Sequence, residues 1–235
     1  MDLYYKIAGV NIKMDSFGRT VEQAERYRIS PCAEVDFTVE SNREKYLEKY
    51  PFCSDDIAEY MTTGGSFYRQ LLNFNGLMLH SSAVVLDGKA YLFAADPGTG
   101  KSTHTQKWLD KFGDRAFILN DDKPALRLID GVWYAYGTPW SGKYDISVNT
   151  RAPIAGIAMI ERAEINEMEP FAGAEAIHAI LKQVNRPKDL QYRVKLMELL
   201  DKLMTMVPIW RFKCNNYAPD AVEVSYAAMC GKKEG

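Results

Sequence analysis

Between two structured stretches the chain reads Ala95-Asp96-Pro97-Gly98-Thr99-Gly100-Lys101-Ser102, followed by Thr103. An apolar stretch leads in, and a helix-forming stretch runs on through Trp108 and Phe112. A strand that enters a glycine-rich turn and leaves as a helix is a physical device for holding polyphosphate. Gly98 and Gly100 let the backbone curl so that several N–H groups point inward, and the helix N-terminus adds partial positive charge. Pro97, Gly98, Thr99, Gly100, Lys101, Ser102 and Thr103 are therefore the expected nucleotide cradle. Lys101 is placed to bridge β- and γ-phosphates, and Ser102 to ligate Mg²⁺. Ala95 stands where the usual pattern has its first glycine. Its methyl is a small intrusion if the position needs no positive φ.

A second constellation lies further on, where the apolar run Ala116 to Leu119 ends in Asn120-Asp121-Asp122. Adjacent carboxylates at a strand end suit a metal-and-base arrangement. One holds Mg²⁺ directly or through water, and the other takes a proton from an attacking hydroxyl. The spacing leaves open which of Asp121 and Asp122 does which. His80, within Leu79-His80-Ser81-Ser82-Ala83, precedes the loop's own strand; taken alone, a histidine among apolar neighbours reads as a hydrogen-bonded core residue.

Several elements must position these groups. Residues 1 to about 53 alternate short apolar runs with turn residues: Tyr4 to Ile12, Ser16-Phe17-Gly18, and a period-two run from Ala33 to Val39. Ser54 is a helix N-cap followed by Asp55 and Asp56, and Gly64-Gly65 predicts a break before a second helix, Phe67 to Phe74. Strands Leu77 to Leu86 and Lys89 to Ala94 flank the hairpin dipeptide Asp87-Gly88, and Asp130-Gly131 separates Leu126–Leu128 from Val132–Tyr136. Ile154 to Ile160 reads as a buried strand and Ala174 to Val184 as a helix. Leu190, Val194, Met197, Leu200, Leu203 and Met204 form a helical core stripe. The implied organisation is a β-rich lead-in with a helical segment (1–75), a catalytic domain of mixed α/β type (76–230) and a solvated tail (231–235).

The order His80-Ser81-Ser82-Ala83, then Gly98-Thr99-Gly100-Lys101-Ser102, then Asp121-Asp122 resembles the catalytic domain of HPr kinase/phosphorylase and, beyond it, ATP-dependent phosphoenolpyruvate carboxykinase. The first family reads His-Gly-Ser, Gly-x-x-Gly-x-Gly-Lys-Ser and Asp-Asp. The second reads His-Cys-Ser-Ala, Gly-x-Ser-Gly-Thr-Gly-Lys-Thr and Asp-Asp. The match covers roughly residues 76 to 128. The wording is most similar to a bacterial subgroup of HPr kinase-like proteins, some of them associated with modified-peptide biosynthesis. The resemblance implies a mixed α/β (α+β) nucleotide-binding domain of the carboxykinase type, ATP and Mg²⁺ as cofactors, and a hydroxyl on a peptide, protein or small molecule as acceptor. It also implies jobs by position: Lys101 on phosphates, Ser102 on the metal, Asp122 as base or metal ligand beside Asp121, and His80 beside the metal or the γ-phosphate.

The arginine-glycine signature that HPr kinases carry after the acidic pair is absent. Thr138-Pro139-Trp140-Ser141-Gly142-Lys143 stands there instead. This turn is the candidate acceptor side, with Lys143 neutralising the transferring group and Trp140 walling the pocket. Arg151 and Arg186 are weaker cationic candidates, and His104 and His178 read as packing or solvent residues.

Composition bounds the alternatives. With 47% hydrophobic and 26% charged residues among 235, the chain is of globular type and can bury a core. Its 29 basic and 31 acidic residues give a net charge of -2, so no global positive field favours nucleic acid or an anionic membrane. Cys32, Cys53, Cys214 and Cys230 show no metal spacing and read as reduced thiols of a cytoplasmic protein. The N-terminus lacks the pattern of a signal peptide, and no apolar stretch suits a membrane helix. Homo-oligomerisation is compatible with all of this. The two function classes that remain are an ATP-dependent phosphotransferase and a nucleotide-binding regulatory module without turnover.

Overall fold

The computed structural model describes residues 3–31 and 34–231. Strands β1 (Tyr4–Ile7) and β2 (Val10–Met14) form a hairpin across Ala8-Gly9, whose φ values of 51° and 78° fold the chain back. The apolar run from Tyr4 to Ile12 is therefore two strands. Helix α1 (Gly18–Ala24), β3 (Arg28–Ile29), β4 (Phe37–Val39) and helix α2 (Arg43–Lys49) follow. The four strands make one small sheet in the order β3-β1-β2-β4. Cys32, the expected strand start at Ala33 and the tail after Gly231 lie outside the described residues. Cys53, Cys214 and Cys230 are free thiols.

Helix α3 (Asp55–Leu71) begins at Ser54, whose hydroxyl accepts the Ile57 N–H at 3.3 Å. It then runs unbroken through Gly64-Gly65, where the sequence predicts an interruption. The reason is packing. A Cβ on Gly64 would lie 2.9 Å from Trp140 Cδ1, and Trp140 is fully buried, stacked on Phe67 with ring centroids 4.8 Å apart. Trp140 thus belongs to a core shared by the small sheet, α3 and Tyr136, and does not wall an acceptor pocket.

The large sheet is built from β5 (Gly76–Met78), β6 (Ser81–Leu86), β7 (Lys89–Ala94), β8 (Ala116–Asp122), β9 (Ala125–Ile129), β10 (Val132–Tyr136), β11 (Arg151–Arg162), β12 (Glu167–Pro170) and β13 (Ile209–Cys214). The expected single strand Leu77–Leu86 is split at Leu79-His80: β5 pairs with β9, while β6 pairs with β7 and β8. Strand β11 is long enough to serve two neighbourhoods. Its start pairs antiparallel with β10, and past a register shift at Ile154/Gly156 it lies parallel between β7 and β13. Strands β7, β11 and β13 are parallel, and β8, antiparallel to β6, points the same way as β7. Their carboxyl ends therefore share one edge of the sheet with the start of β6.

Alternate residues of β6 and β7 face opposite layers. Ala83, Val85, Ala90 and Leu92 pack with α5 (Gly173–Gln183) and α6 (Leu190–Met206), while Val84, Leu86, Tyr91 and Phe93 pack with α4 (Lys101–Phe112) and α7 (Ala221–Cys230). The buried side of α6 is Leu196, Leu199, Leu200 and Leu203. Leu190, Val194 and Met197, expected in the core, are exposed; Leu200 and Leu203 are buried as expected, and Met204 packs at the edge of that core, bordering with Met197 a groove lined by α5 and β13. Among the described residues no helix is long and apolar enough to cross a membrane.

The adjacent glycines of α3 give opposite expectations. Gly64→Ala should lower stability by about 1–3 kcal/mol, because the methyl drives into buried Trp140. Gly65→Ala meets nothing within 4 Å and should raise stability by about 0.5–1 kcal/mol through the unfolded chain's entropy. Denaturant melts of both variants check the signs; a stabilised Gly64→Ala would contradict the packing account.

Candidate active site

The glycine-rich loop lies between β7 and α4, as the sequence predicts. Gly98 and Gly100 take φ of 77° and 113°, whereas Ala95 is not among the positive-φ residues, so its methyl is tolerated. Lys101 is buried and its Nζ donates to the Ala95 carbonyl at 3.0 Å. Burial pulls the Lys101 ammonium below its usual pKa, against the opposing pull of Asp122, Asp121 and Asp96. Ser102 Oγ donates to Asp121 Oδ1 at 2.9 Å. The registers that bring these together are Ser81 opposite both Ala94 and Asp122, and Ser82 opposite Asp121.

Asp122 has a different set of partners. Its Oδ1 lies 3.2 Å from His80 Nε2, and its Oδ2 is held by Lys123 Nζ. Burial raises this carboxyl's pKa, but the His80 hydrogen bond and the Lys123 charge outweigh burial and hold it below the ordinary value. Asp122 also carries φ of 129°, a conformation rarely adopted by residues with side chains. His80 itself is tied from behind. Its N–H donates to the Gln183 carbonyl at 2.7 Å, and its Nδ1 lies 3.1 Å from Gln183 Oε1. Gln183 Nε2 donates at 2.8 Å to Asp96 Oδ1. An ionised carboxylate only accepts, which fixes the amide with its oxygen toward His80. Gln183 thereby joins the Asp122–His80 pair to the glycine-rich loop.

The turn after β10 fastens the acidic strand end. Buried Asn120 donates from Nδ2 to Thr138 O at 2.9 Å and accepts the Lys123 N–H at 3.0 Å. Thr138 Oγ1 donates to Lys123 O at 2.8 Å. Gly142, at φ 76°, comes so close that a Cβ would lie 3.1 Å from Asp122 Cβ. Its N–H donates to Tyr60 Oη at 2.9 Å and its carbonyl accepts from Gln23 Nε2 at 3.0 Å, so α3 and α1 both hold the turn.

Of the sequence-predicted residues, Lys101, Ser102, Asp121, Asp122 and His80 converge on this edge. Lys143 is exposed, with its ammonium 5.6 Å from the Tyr144 ring. The cation on Asp122 is Lys123. Arg151 donates to Tyr136 Oη at 2.9 Å over the Tyr134 ring, and Arg186 and His178 are exposed. Lys123 and Gln183 were not singled out by the sequence. Lys123 follows Asp122 directly and could have been found by adjacency; Gln183 lies 103 positions from His80 and carries no local signal.

Among the described residues no group of three or more His, Cys, Asp or Glu side chains could hold a metal ion by itself. The Ser102 hydroxyl and Asp121 carboxylate are instead the sparse, hard-oxygen set that Mg²⁺ accepts when phosphate oxygens complete its shell. Beside the loop opens a cleft of about 520 Å³ bordered by Gly98–Gly100, Thr103, Lys107, Arg162, Asn216 and Tyr217.

No protein-family model matches the chain, and no curated protein matches it. Among solved structures it is similar to the HPr(Ser) kinase/phosphatase from Coxiella burnetii, with 12% identity, a TM-score of 0.38, and coverage of 64% of this chain and 95% of that chain.

Gly142→Ala tests how rigidly the turn is held. A left-handed alanine costs about 1–2 kcal/mol, and its Cβ would also press on Asp122 and on the Asp121 carbonyl. The expected result is a destabilisation at least that large in denaturant melts; an unchanged midpoint would mean that the turn does not constrain the acidic pair.

Proposed function

We propose that the chain is a Mg²⁺-dependent ATP phosphotransferase acting on a hydroxyl of a peptide, protein or small molecule. The observation that carries this reading is the convergence, on one sheet edge, of a phosphate-loop lysine and serine with two differently partnered carboxylates. In this reading the loop N–H groups and Lys101 hold the β- and γ-phosphates, and the nucleoside extends into the cleft toward Thr103 and Tyr217. Ser102 and Asp121 hold Mg²⁺, which neutralises charge on the phosphate oxygens.

Asp122 is the base. The acceptor O–H bond breaks toward its carboxylate, the acceptor oxygen bonds to the γ-phosphorus, and the bond from that phosphorus to the β,γ-bridging oxygen breaks, leaving ADP. Lys123 is the cation placed to move from Asp122 onto the transferring phosphoryl oxygens. Of the turn expected on the acceptor side, Gly142 packs against Asp122, while Lys143 turns out to solvent. The competing class, a nucleotide sensor without turnover, has no use for a clamped carboxylate and histidine beside the loop.

Mg-ATP or Mg-ADP should raise thermal stability, by about 2.7 kcal/mol at a hundred times the dissociation constant. Lys101→Ala should abolish most of that gain. Absence of any shift in the wild type, with purine or pyrimidine nucleotides, would reject the phosphate-loop reading.

Asp122→Asn should keep nucleotide binding while single-turnover phosphoryl transfer, or ATP hydrolysis without acceptor, falls by ~10² or more. Lys123→Met and Lys143→Met, assayed alongside, separate the two candidate cations. The geometry predicts the larger rate loss for Lys123→Met. Full activity in Asp122→Asn would sink the proposed base, and binding without turnover in the wild type would leave the sensor.

A further inference from the structure

The loop after β13 reaches back to the phosphate loop through one side chain. Asn216 Nδ2 donates at 3.1 Å to the carbonyl of Gly100, which also accepts the His104 N–H at 2.9 Å as the first bond of α4. A carbonyl can only accept, so the Asn216 amide is oriented with its oxygen turned the other way. That oxygen lies 3.1 Å from His104 Nδ1 and 3.4 Å from Cys214 Sγ. His104 is completely buried, ringed by Phe93 and Phe212 at 4.7 and 5.0 Å between centroids; its Nε2 lies 3.0 Å from Ser225 Oγ and 3.2 Å from Trp108 Nε1, which can only donate. The Asn216 oxygen can only accept, so Nδ1 carries the proton; the bare Nε2 accepts from Trp108 Nε1–H, which also reaches Ser225 Oγ at 3.1 Å, Ser225 Oγ donates to the Val222 carbonyl at 3.1 Å, and Asn216 donates to Gly100. Burial pushes the Cys214 thiol up to about 12, so its S–H is a second donor to the Asn216 oxygen.

We infer that Asn216 is a positioning residue of the phosphate loop, held by buried His104 in the one amide orientation that can grip the Gly100 carbonyl; the inference rests on the nucleotide-binding reading above. In a planar trans peptide the carbonyl and the following N–H point in opposite directions. Fixing the Gly100 carbonyl from two sides therefore fixes the Lys101 N–H, which leaves the helix N-terminus on the side where a phosphate is bound. The fit is tight at this point, because a Cβ on Gly100 would lie 2.6 Å from Asn216 Nδ2. Asn216 touches none of the reacting groups. Its loss should weaken nucleotide binding with little effect on the rate of the bound state.

The test combines spectroscopy with affinity. The chain has three histidines, so long-range ¹H–¹⁵N spectra of the full-length protein at neutral pH, with single substitutions of each, assign the ring nitrogens of His104. The expected pattern is a protonated Nδ1 and a bare Nε2, the less common neutral form. Asn216→Asp keeps an acceptor for His104 but offers a second acceptor to the Gly100 carbonyl. It should retain the His104 pattern but lower the ligand-free melting midpoint, because the Asn216–Gly100 bond is present without ligand, and the Mg-ADP dissociation constant should rise about tenfold as the Gly100 carbonyl, left with the His104 N–H alone, no longer fixes the loop. Asn216→Ala, which adds no charge, should weaken Mg-ADP similarly, and kcat for ATP hydrolysis should move much less than KM in either variant. A wild-type His104 protonated on Nε2, or wild-type affinity in both variants, overturns the inference; because the first result needs no variant, misfolding of Asn216→Asp does not remove the test. A wild type that binds no Mg-ADP defeats the nucleotide reading itself, and is told apart by failing before any variant is compared.

Discussion

The site depends on the pairing of β6 with two antiparallel neighbours at once. Because Ser81 lies opposite Ala94 on one side and Asp122 on the other, the end of the glycine-loop strand, the acidic pair and His80 are brought within one residue's height of each other. No side chain at the site could compensate for a slip in that register, since a shift of one residue exchanges the faces of a whole strand. The apolar layers guard against slippage: Ala83 and Val85 are fixed to the α5–α6 side, and Val84 and Leu86 to the α4–α7 side.

Within that pairing one irregularity decides how the two aspartates divide. From Leu86 to Val84 the partners on β8 run in step, Ala116, Phe117 and Ile118; then Ala83 pairs with Asn120 and Leu119 is left over. A bulge re-aims the residues beyond it. Here it sets Asp121 toward Ser102 and Asp122 toward His80, with Asn120 free to hold the Thr138 turn. The sequence identifies the acidic pair but not its division of partners, because a bulge in the strand Ala116–Asp122 leaves no mark in the hydrophobic alternation.

The same contrast between local and distant causes explains what could be read from the chain and what could not. Hairpins at Asp87-Gly88 and Asp130-Gly131, the Ser54 cap and the glycine-rich loop each depend on residues next to one another, and each is legible. Gly64-Gly65 is not, because its meaning lies in Trp140, which arrives from a turn far along the chain. The α6 stripe is only partly right: Leu200 and Leu203 are buried, but Leu190, Val194 and Met197 of the same apolar side are exposed, because periodicity marks a face and not how much of it a partner covers. Lys123 outranks Lys143 as the cation at Asp122 for a geometric reason. Gly142 packs against the carboxylate with its backbone, and the next side chain turns out to solvent.

The charged side chains at this edge each already have a protein partner. Lys101 is held by the Ala95 carbonyl, Lys123 by Asp122, and Asp121 by the Ser102 hydroxyl. For the proposed transferase this pairing has a chemical consequence. A carboxylate whose pKa is held down by His80 and Lys123 is a weak base. A polyphosphate entering the loop competes for both lysines with far more negative charge than a single carboxylate or carbonyl offers. As Lys123 shifts toward the phosphoryl oxygens, Asp122 loses one of the two partners that lower its basicity. It therefore becomes a stronger base only when a donor phosphate is in place, so proton abstraction from the acceptor is tied to occupancy of the loop. Gln183 would make the tie mechanical as well as electrostatic: it holds His80 against Asp122 and itself donates to Asp96, which precedes the glycines that would cradle the phosphate in the proposed reading.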